Sequence, residues 1–447
     1  MSTSAANFFI NVQTWIPDEL ALLRNLHCAI ATFNKEISSP ADYPANLGDT
    51  VNLQIPPRPR SGTGLVATMH GVEQLLHPFV IDQAAHSAYP HNAQQYIFNL
   101  EKNKYLEKVA KSEIADLAEQ VEANLLTMAN SSCPVMTLNE DNQSVPTGAL
   151  HVESGPFRCF GDGRTAINSF QQLAQLDKNF KNFGVAPGRR QLYLPDIYIP
   201  AIIGSGLSQF TPKRGDETSQ TWELGSFSGS PDVDCYTSNY LPTQVAGDVG
   251  KTNKLLTVVG TTLDSNGNVI AIEFSGAGTS ISKSLRAGDI LTFQDGVSGF
   301  SNMRFMQYTG NIVSQQPVQM RVQNDVDSDG SGHVEVAIIP GLAVGQTSSM
   351  AQKINQTIQA GMQVRSTADH VCGLLVSGKA AYFSSPKLPD TSPFHSASER
   401  DEETGLSLRV YYADIPFKNT RGYVHDLIWS STGIPHYMER VAFPVSL

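Results

Sequence analysis

The chain has 447 residues, enough for two or three domains, with 40% hydrophobic but only 16% charged residues. Its formal net charge of −11 disfavours nucleic acid as the primary ligand and argues against an anionic membrane surface. No stretch reaches the ~18 consecutive apolar residues that a membrane-spanning helix needs. The low charge fraction indicates that much of the surface is buried against other molecules, such as further copies of the chain.

The cysteines and the first residues bear on the compartment. The start, MSTSAANFFINVQTW, lacks the basic beginning and apolar run of a signal peptide. The cysteines are odd in number, widely scattered and without CxxC spacing, which predicts free thiols in a reducing cytoplasm. They are Cys28, Cys133, Cys159, Cys235 and Cys372.

The first segments read as an arm and a flap. Residues 1–37 form the expected arm, with a helical pattern around Leu20 to Phe33. Residues 38–76 are rich in proline and glycine and too poor in apolar residues for a core of their own, so we expect a long extended loop or a two-stranded flap. The flap's only cations, Arg58 and Arg60, lie among prolines. They fit a peptide-recognition segment or, as we prefer, contacts with a neighbouring subunit.

A long amphipathic helix is predicted from Asn92 to Ala129, within an expected peripheral domain at 77–134. Asn92 and Gln95 resemble a capping box, and Pro134 marks the end. The helix would span ~55 Å, which favours a structural spine. Its apolar residues recur every three or four positions on one face: Leu106, Ala110, Ile114, Leu117, Val121, Leu125 and Met128.

Residues 135–224 contain both helical and strand patterns, and we expect them to form the first part of a peripheral and axial domain. A helix is expected from Thr165 to Phe180, and a strand follows around Gln191–Leu194. Residues 346–447 are expected to return to this main domain, beginning with a modest helix at 348–363 and continuing with strands.

Residues 225–345 are expected to form a separate, inserted β-barrel domain. One hairpin covers 254–274, with Asn266-Gly267 as a type I′ turn signal. A second hairpin covers 316–340. Several short strands at this spacing predict a small closed barrel. The fold class is therefore α+β.

The motif Asp325-Val-Asp327-Ser-Asp329-Gly330 resembles the opening of a calcium-binding loop. The twelfth position should hold an acidic ligand and holds Val336 instead, and the flanks resemble strands rather than helices. The simpler interpretation is an Asp-Gly hairpin turn. Asp325, Asp327 and Asp329 therefore stand as weak metal candidates, and no metal or cofactor is expected.

Other motifs argue against common chemistries. The stretch 373–380, GLLVSGKA, nearly matches a phosphate-binding loop, but Ala380 replaces the hydroxyl residue that binds Mg²⁺. We read it as a buried strand. The acidic run 399–403 reads as a solvated loop. Four histidines lack zinc-ligand spacing: His70, His77, His86 and His91.

Three stretches together carry a family resemblance: 92–126, 176–198 and 284–340. In their order they resemble the coat proteins of tailed double-stranded DNA phages, most of all the branch of short-tailed Salmonella phages with an inserted β-barrel. Leu194, Pro195 and Tyr198 match the strand–Pro-x-x-Tyr pattern of many such coats. The order of the elements carries the resemblance more strongly than any single motif.

The resemblance implies the tailed-phage coat fold first described for the Hong Kong phage: a spine helix, an extended flap, peripheral and axial domains, and here an inserted barrel. It implies a major capsid protein that assembles as hexamers and pentamers into an icosahedral head around double-stranded DNA. Implied partners are other copies, a scaffolding protein and a portal protein, whereas the presence of a decoration protein stays open. The implied location is the virion, after assembly in the bacterial cytoplasm.

Two other classes of function remain in view. One is another phage structural protein, of the tail or for receptor binding, although such proteins are usually β-dominated trimers. The other is an enzyme with an undetected carboxylate or histidine site. A pocket with perturbed carboxylates would favour the enzyme. The resemblance itself implies no catalytic residue.

Overall fold

The structure is a computed structural model, and it describes residues 28–34, 50–55, 75–81, 83–92, 102–130, 136–138, 144–145, 155–185, 188–206, 228–230, 233–265, 267–307, 312–344, 352–378, 380–388, 396–400, 405–415 and 420–445. The helices described there are α1 (Cys28–Thr32), α2 (Lys102–Thr127), α3 (Phe170–Phe183), α4 (Ile199–Gly206) and α5 (Asp248–Thr252), with 3₁₀ turns at Asp196–Tyr198 and Pro435–Tyr437.

The strands range from 2 to 14 residues in length, and most are antiparallel to their neighbours. They are β1 (Thr50–Ile55), β2 (Leu75–Val80), β3 (Gln83–Asn92), β4 (Met136–Leu138), β5 (Ser144–Val145), β6 (Cys159–Phe160), β7 (Arg190–Leu194), β8 (Ser228–Ser230), β9 (Val233–Thr237), β10 (Thr243–Gln244), β11 (Leu255–Leu263), β12 (Val269–Ser275), β13 (Ile290–Phe293), β14 (Arg304–Met306), β15 (Val313–Pro317), β16 (Gln319–Val322), β17 (His333–Val344), β18 (Gln352–Ile354), β19 (Gln363–Ser366), β20 (His370–Ser377), β21 (Ala381–Ser384), β22 (Ser396–Arg400), β23 (Ser407–Ile415), β24 (Thr420–Gly433) and β25 (Met438–Pro444).

The chain divides into two compact units. The first comprises residues 1–51, 79–126 and 382–432. Its sheet runs β3–β24–β23–β22, and β21 also pairs with β24. The second comprises residues 52–78, 127–381 and 433–447. It contains a seven-stranded sheet and a nine-stranded sheet.

The long helix is present but begins later than the sequence predicted. Helix α2 has 26 residues, about 39 Å at the usual rise per residue. Asn92 is not its N-cap, because it ends strand β3 and pairs with Thr420. That ladder joins positions more than 300 residues apart, which local capping signals cannot reveal. The predicted apolar face is buried wherever its side chains are described: Ile114, Leu117, Val121, Leu125 and Met128.

The seven-stranded sheet of the second unit runs β6–β25–β20–β7–β9–β8, and β10 pairs with β20. Every residue of β25 is buried, and so are most of β20 and β7. Strands buried on both faces read as continuous apolar runs rather than as alternating patterns. The main sheet is therefore built from distant segments that come before and after the barrel.

The nine-stranded sheet closes on itself. Six strands follow one another in the ring β12–β11–β19–β13–β16–β17, and β17 pairs back to β12. Strands β18, β14 and β15 extend the sheet beyond this ring. Its interior is apolar, with Ile272, Phe274 and Leu291 fully buried. Closure removes the exposed edges that open sheets must protect.

The barrel strands run from Leu255 to Ser366, so the ends of the barrel differ from those of the expected insert, 225–345. Strands β8 and β9 at 228–237 pair within the seven-stranded sheet instead. The predicted helix at 348–363 is wrong for its described part: Gln352–Ile354 pairs in parallel with β17, and Gln363 begins β19. Strand β19 lies between β11 and β13, so the barrel needs these residues as strand.

Both predicted hairpins are present, with one change of turn. In the first, Gly267 N–H donates to the Asp264 carbonyl at 3.1 Å, and Gly267 has a φ of 78°. Gly267 therefore closes a turn that starts at Asp264, whereas a type I′ turn would have Asn266 and Gly267 as its two central residues. Asn266 itself lies outside the described residues.

Helix α3 starts at Phe170 rather than at Thr165. Ser169 is its N-cap and forms a capping box with Gln172, which satisfies two of the helix's first N–H groups. Thr165 belongs to the preceding loop, where its N–H donates to the Asp162 carboxylate at 2.9 Å. Gly184, with a φ of 87°, ends the helix.

The expected arm and flap are described only in pieces. Helix α1 is the described part of the arm. Strands β1 and β2 are neighbours in a four-stranded sheet ordered β1–β2–β4–β5, and they include the described part of the flap. Among the described helices, none is both long and apolar enough to cross a membrane.

Candidate functional site: a buried charged junction

The second unit buries charges where its sheet meets the barrel. Strand β25 reads MERVAFP, and Glu439 and Arg440 within it are 0% exposed, as is Arg158 just before β6. Taking a charge out of water is costly unless hydrogen bonds or an opposite charge compensate. The partners of these three residues therefore reveal what the junction holds together.

Arg158 ties strand β25 to the barrel extension. Its Nη2 donates to the carbonyls of His436 and Met438 at 3.0 and 3.1 Å. Its Nη1 donates a long bond to Gln316 Oε1 on β15, at 3.5 Å. The guanidinium carbon lies 4.0 Å from the centroid of the Phe183 ring, within cation–π range. Burial lowers the pKa of Arg158 to about 10.

Glu439 is the carboxylate beside Arg158. Gln316 Nε2 donates to Glu439 Oε1 at 3.5 Å, so Gln316 bridges the acid and the base. Glu439 Oε2 has no hydrogen-bond partner among the described residues. Burial raises the pKa of Glu439 to about 7, against the opposing effects of the Arg158 charge and of the Asn179 side chain. This carboxyl therefore gains or loses its proton near neutral pH.

Arg440 joins three separate segments. Its Nε donates to the Ala129 carbonyl at 3.0 Å, its Nη1 to the Gly288 carbonyl at 2.7 Å, and its Nη2 to Asn130 Oδ1 at 2.8 Å. Gly288 lies in the turn before β13 of the barrel. One side chain thus joins residues 129–130, the sheet and the barrel within the second unit.

Asp289 continues the junction on the barrel side. It is 0% exposed and accepts from the side chain of Gln244 at 3.0 Å and from the N–H groups of Gly247 and Arg286, both at 2.9 Å. Burial outweighs these bonds and raises the pKa of Asp289 to about 6. Nearby His370 is also 0% exposed, and burial followed by the charge of Arg440 lowers its pKa to about 4.

A glutamine of the barrel completes the edge of the main sheet. Strand β6 is the last strand of that sheet, and Cys159 turns its backbone groups outward. Its N–H donates to Gln319 Oε1 at 2.9 Å, and its carbonyl accepts from Gln319 Nε2 at 2.8 Å. The side-chain amide replaces the missing strand, which leaves no buried backbone group unpaired there.

A second contact joins barrel and sheet through Arg164. Its guanidinium donates to the carbonyls of Gly250 on α5 and Ser366 on β19. Helix α5 approaches closely at this point, because a Cβ on Gly250 would lie 2.3 Å from the Thr367 carbonyl oxygen. Only glycine fits there without a shift of the backbone.

Perturbed carboxylates are typical of catalytic sites, but buried ion-pair networks also produce them. Glu439 and Asp289 are both 0% exposed, and a substrate could reach neither without opening the junction. Within the described part of the chain, no group of three or more His, Cys, Asp or Glu residues could hold a metal ion. The arrangement is suited to fixing the barrel on the sheet.

The three aspartates predicted as weak metal candidates each bind backbone N–H groups. Asp325 accepts from Ala287 at 2.9 Å and pairs with Lys283 at 3.1 Å. Asp327 accepts from the Lys283 N–H at 2.6 Å, and Asp329 accepts from Ser331 at 2.8 Å. These bonds lower the pKa values of Asp325 and Asp329. The structure uses the carboxylates to fix loops around the barrel.

The remaining sequence candidates lie in several places. Arg58 and Arg60 fall outside the described residues. The stretch that resembled a phosphate loop is strand β20, with Leu374 and Leu375 fully buried. The acidic run is not wholly a loop, because Glu399 and Arg400 pair with β23, and residues 401–404 lie outside the description. His86 is exposed on β3, whereas His70 is not described.

Local sequence patterns did not predict the junction. Charged residues are usually exposed, and the partners of Arg158 lie up to 280 positions away. One local signal existed: Glu439 and Arg440 interrupt an otherwise apolar strand of seven residues. A charged pair inside such a strand indicates a buried polar network.

No protein-family model matches this sequence, and none of the curated proteins matches it. In structure, the chain is similar to the capsid of Ralstonia phage GP4, with 7% identity, a TM-score of 0.45, and 94% of this chain and 89% of that one covered. It is similar to the cyanophage Pam1 capsid at 8% identity and a TM-score of 0.44, covering 95% and 93%. It is also similar to the capsid of cyanophage P-SCSP1u, with 9% identity, a TM-score of 0.41, and 93% of this chain and 87% of that one covered.

Proposed function

We propose that this chain is the major capsid protein of a tailed double-stranded DNA phage. The observation that carries the proposal is the order of elements. A 26-residue amphipathic helix is followed by a mixed sheet, a closed barrel between β10 and β20 of that sheet, and returning strands. This is the order that the resemblance of stretches 92–126, 176–198 and 284–340 implies.

The buried junction supports the same proposal. A shell subunit has to keep its shape while neighbours press on it from several sides. Arg158, Glu439 and Arg440 hold the barrel through directional contacts from fully buried side chains. Such contacts favour one fixed arrangement of two sheets over several similar ones. A structural role follows from this, and we propose no enzymatic activity.

In the proposed shell, the chain forms hexamers and pentamers around the packaged genome. We assign the arm to 1–37, the flap to 38–76, the peripheral domain to 77–134, the peripheral and axial domain to 135–224 and 346–447, and the barrel insert to the region between them. Arg58 and Arg60 would contact a neighbouring subunit. A scaffolding protein and a portal protein would take part in assembly in the host cytoplasm, before the chain becomes part of the virion.

Packaged DNA would be contacted without sequence preference. The formal net charge of −11 per chain, repeated over many copies, repels the phosphate backbone and lets DNA slide along the inner surface. A basic segment of the scaffolding protein would meet an acidic inner patch. Both expectations predict weak DNA binding by the free chain.

The proposal is tested by assembly. The purified chain, with and without its scaffolding protein, is followed by sedimentation velocity and negative-stain microscopy. We expect closed shells with scaffold, and rings, tubes or irregular shells without it. A chain that stays monomeric or trimeric at high concentration with scaffold present would rule the proposal out.

A further inference from the structure

Strand β3 forms one edge of the sheet in the first unit. It pairs with β24 over all ten of its residues, Gln83 to Asn92, without a register shift. No other described strand pairs along its opposite side. The other edge of this sheet, β22, is half as long and carries Glu399 and Arg400, whose charges discourage pairing with further strands.

Two observations show which backbone groups of β3 point outward. Ile428, opposite Ala84 in the ladder, has its carbonyl bonded to Ser385 Oγ at 2.8 Å, on the side away from β3. Ala84 and Ile428 therefore form a non-hydrogen-bonded pair, and the N–H and C=O of Ala84 face the open edge. Backbone groups of alternate strand residues face the same side, so Pro90, six positions after Ala84, also faces the open edge. This is expected for a proline, whose nitrogen cannot donate to the ladder.

By the same alternation, the N–H and C=O groups of Ala84, His86 and Ala88 lie at the open edge. Their side chains are exposed, whereas Ala85 and Ser87 are buried on the other face. Strand β3 contains no Asp, Glu, Lys or Arg. The edge thus lacks the charges that usually protect an edge strand, and two copies of it would meet without repulsion between formal charges.

We propose that β3 is a self-association surface, on which a second copy of this chain places its own β3 in antiparallel orientation across a two-fold axis. The three outward residues are symmetric about His86, and Pro90 ends the run. The pairing therefore matches Ala84 with Ala88 of the second copy and His86 with His86, and it joins two sheets into one.

This pairing names one specific contact between subunits of the proposed shell, so in that setting it rests on the proposed function. Each of the three matched pairs would exchange two backbone hydrogen bonds. These hydrogen bonds replace hydrogen bonds to water, so their net gain in free energy is small compared with the free-energy cost of association. We therefore expect the pairing mainly in assembled particles, where other contacts hold the copies together.

Cysteine cross-linking tests the register. Residues directly opposite in a hydrogen-bonded pair have Cα atoms about 5.5 Å apart, within disulfide range. In His86→Cys, the two new thiols would face each other across the axis. In the matched control, Ala84→Cys, they would be separated by about 13 Å along the strands. Both side chains are exposed, so neither change should disturb the fold.

Oxidised samples of both variants and of the unmodified chain are compared on non-reducing denaturing gels, as concentrated soluble chain and as particles. We expect a dimer band with His86→Cys that is at least tenfold stronger than with Ala84→Cys. Particles that form without that excess overturn the pairing and leave the proposed function standing. A failure to form particles contradicts the proposed function; the pairing then stands only if the concentrated soluble chain shows the excess, and it is overturned if that sample shows none.

Hydrogen exchange provides a second measurement that needs no variant. The amides of Ala84, His86 and Ala88 should exchange fast in the free chain and at least tenfold more slowly in particles. Slow exchange already in the free chain would mean that another segment of the same chain covers the edge. That result would overturn the proposal.

Discussion

At the scale of single residues, the carboxyl of Glu439 has the clearest measurable consequence. Its pKa rises from 4.5 to about 7 on folding, so between these values the folded chain binds a proton that the unfolded chain releases. The contribution of Glu439 to stability is therefore fully present below pH 4.5 and is lost as the pH rises to about 7. Asp289, whose pKa is raised to about 6, affects stability in the same direction. His370 acts in the opposite direction: its pKa is lowered to about 4, so stability is lost as the pH falls below 6.5.

We predict that Glu439→Gln removes the loss of stability that the parent shows between about pH 4.5 and 7. Glutamine keeps the shape but cannot ionise, so the variant should gain on the order of 1–2 kcal/mol over the parent at pH 8. Denaturant unfolding at several pH values measures this difference. The same change at exposed Glu335 is the control and should leave the pH profile unaltered. A parental slope retained in Glu439→Gln would contradict the assignment.

A second residue-scale prediction concerns Glu122, which is buried on α2. Its carboxylate accepts from the N–H of Ala29 at 2.9 and 3.1 Å and from that of Ile30 at 3.2 Å. These N–H groups belong to the first turn of α1, where no carbonyl within the helix can accept from them. One carboxylate of the long helix thus holds the described end of the expected arm.

We predict that Glu122→Ala destabilises the first unit by about 2–3 kcal/mol, because two buried donors lose their acceptor. The control is Glu119→Ala, the same change on the exposed face of the same helix, which should stay within about 0.5 kcal/mol. Thermal unfolding compares the two, and limited proteolysis tests whether α1 is released. Equal effects of the two changes would refute the capping role.

At the scale of elements, the barrel makes a prediction about fragments. Strand β19 at 363–366 lies between β11 and β13, so a fragment 225–345 lacks one strand of the ring. A fragment 246–369 contains all six. We predict a dispersed amide NMR spectrum for the longer fragment and a collapsed one for the shorter. Dispersed spectra from both would show that β19 is dispensable for closure.

The long helix and the two hairpins could be predicted from the sequence, because their contacts join residues that are close along the chain. The face from Ile114 to Met128 follows helical spacing and is buried, and both hairpins are present because their strands are adjacent in sequence. Asn92 was misassigned because β3 pairs with a strand more than 300 residues away. Gln352–Ile354 was misassigned because its helical composition yields to pairing with β17. Long-range pairing overrides local propensity in both cases.

The buried junction was beyond sequence reasoning for the same physical reason. Arg158, Gln316 and Glu439 are distant along the chain and meet only after two sheets have formed. The sequence does not distinguish Gln319 from other polar strand residues, because its role depends on the tertiary contact with the free edge of β6. Nothing local distinguishes a buried polar side chain with distant partners from an exposed one.

At the scale of the whole molecule, the sequence predicts a shell without covalent links between subunits. Some coat proteins of the phage family that the sequence resembles join a flap lysine to a neighbour's asparagine, which requires an amine nucleophile. The flap, 38–76, contains no lysine, and the guanidinium groups of Arg58 and Arg60 stay protonated. Boiled, reduced particles should run as one band near 48.5 kDa. A ladder of multimers that resists reduction would contradict this.

The central claim is that many copies of this chain close into one icosahedral shell. Electron cryomicroscopy of particles assembled with the scaffolding protein tests it most directly, because rings of subunits can be counted in the images. We expect closed particles with icosahedral symmetry, built from five- and six-membered rings of this chain. Trimers, open fibres or discrete small oligomers as the sole products, under conditions where the scaffolding protein binds, would contradict it.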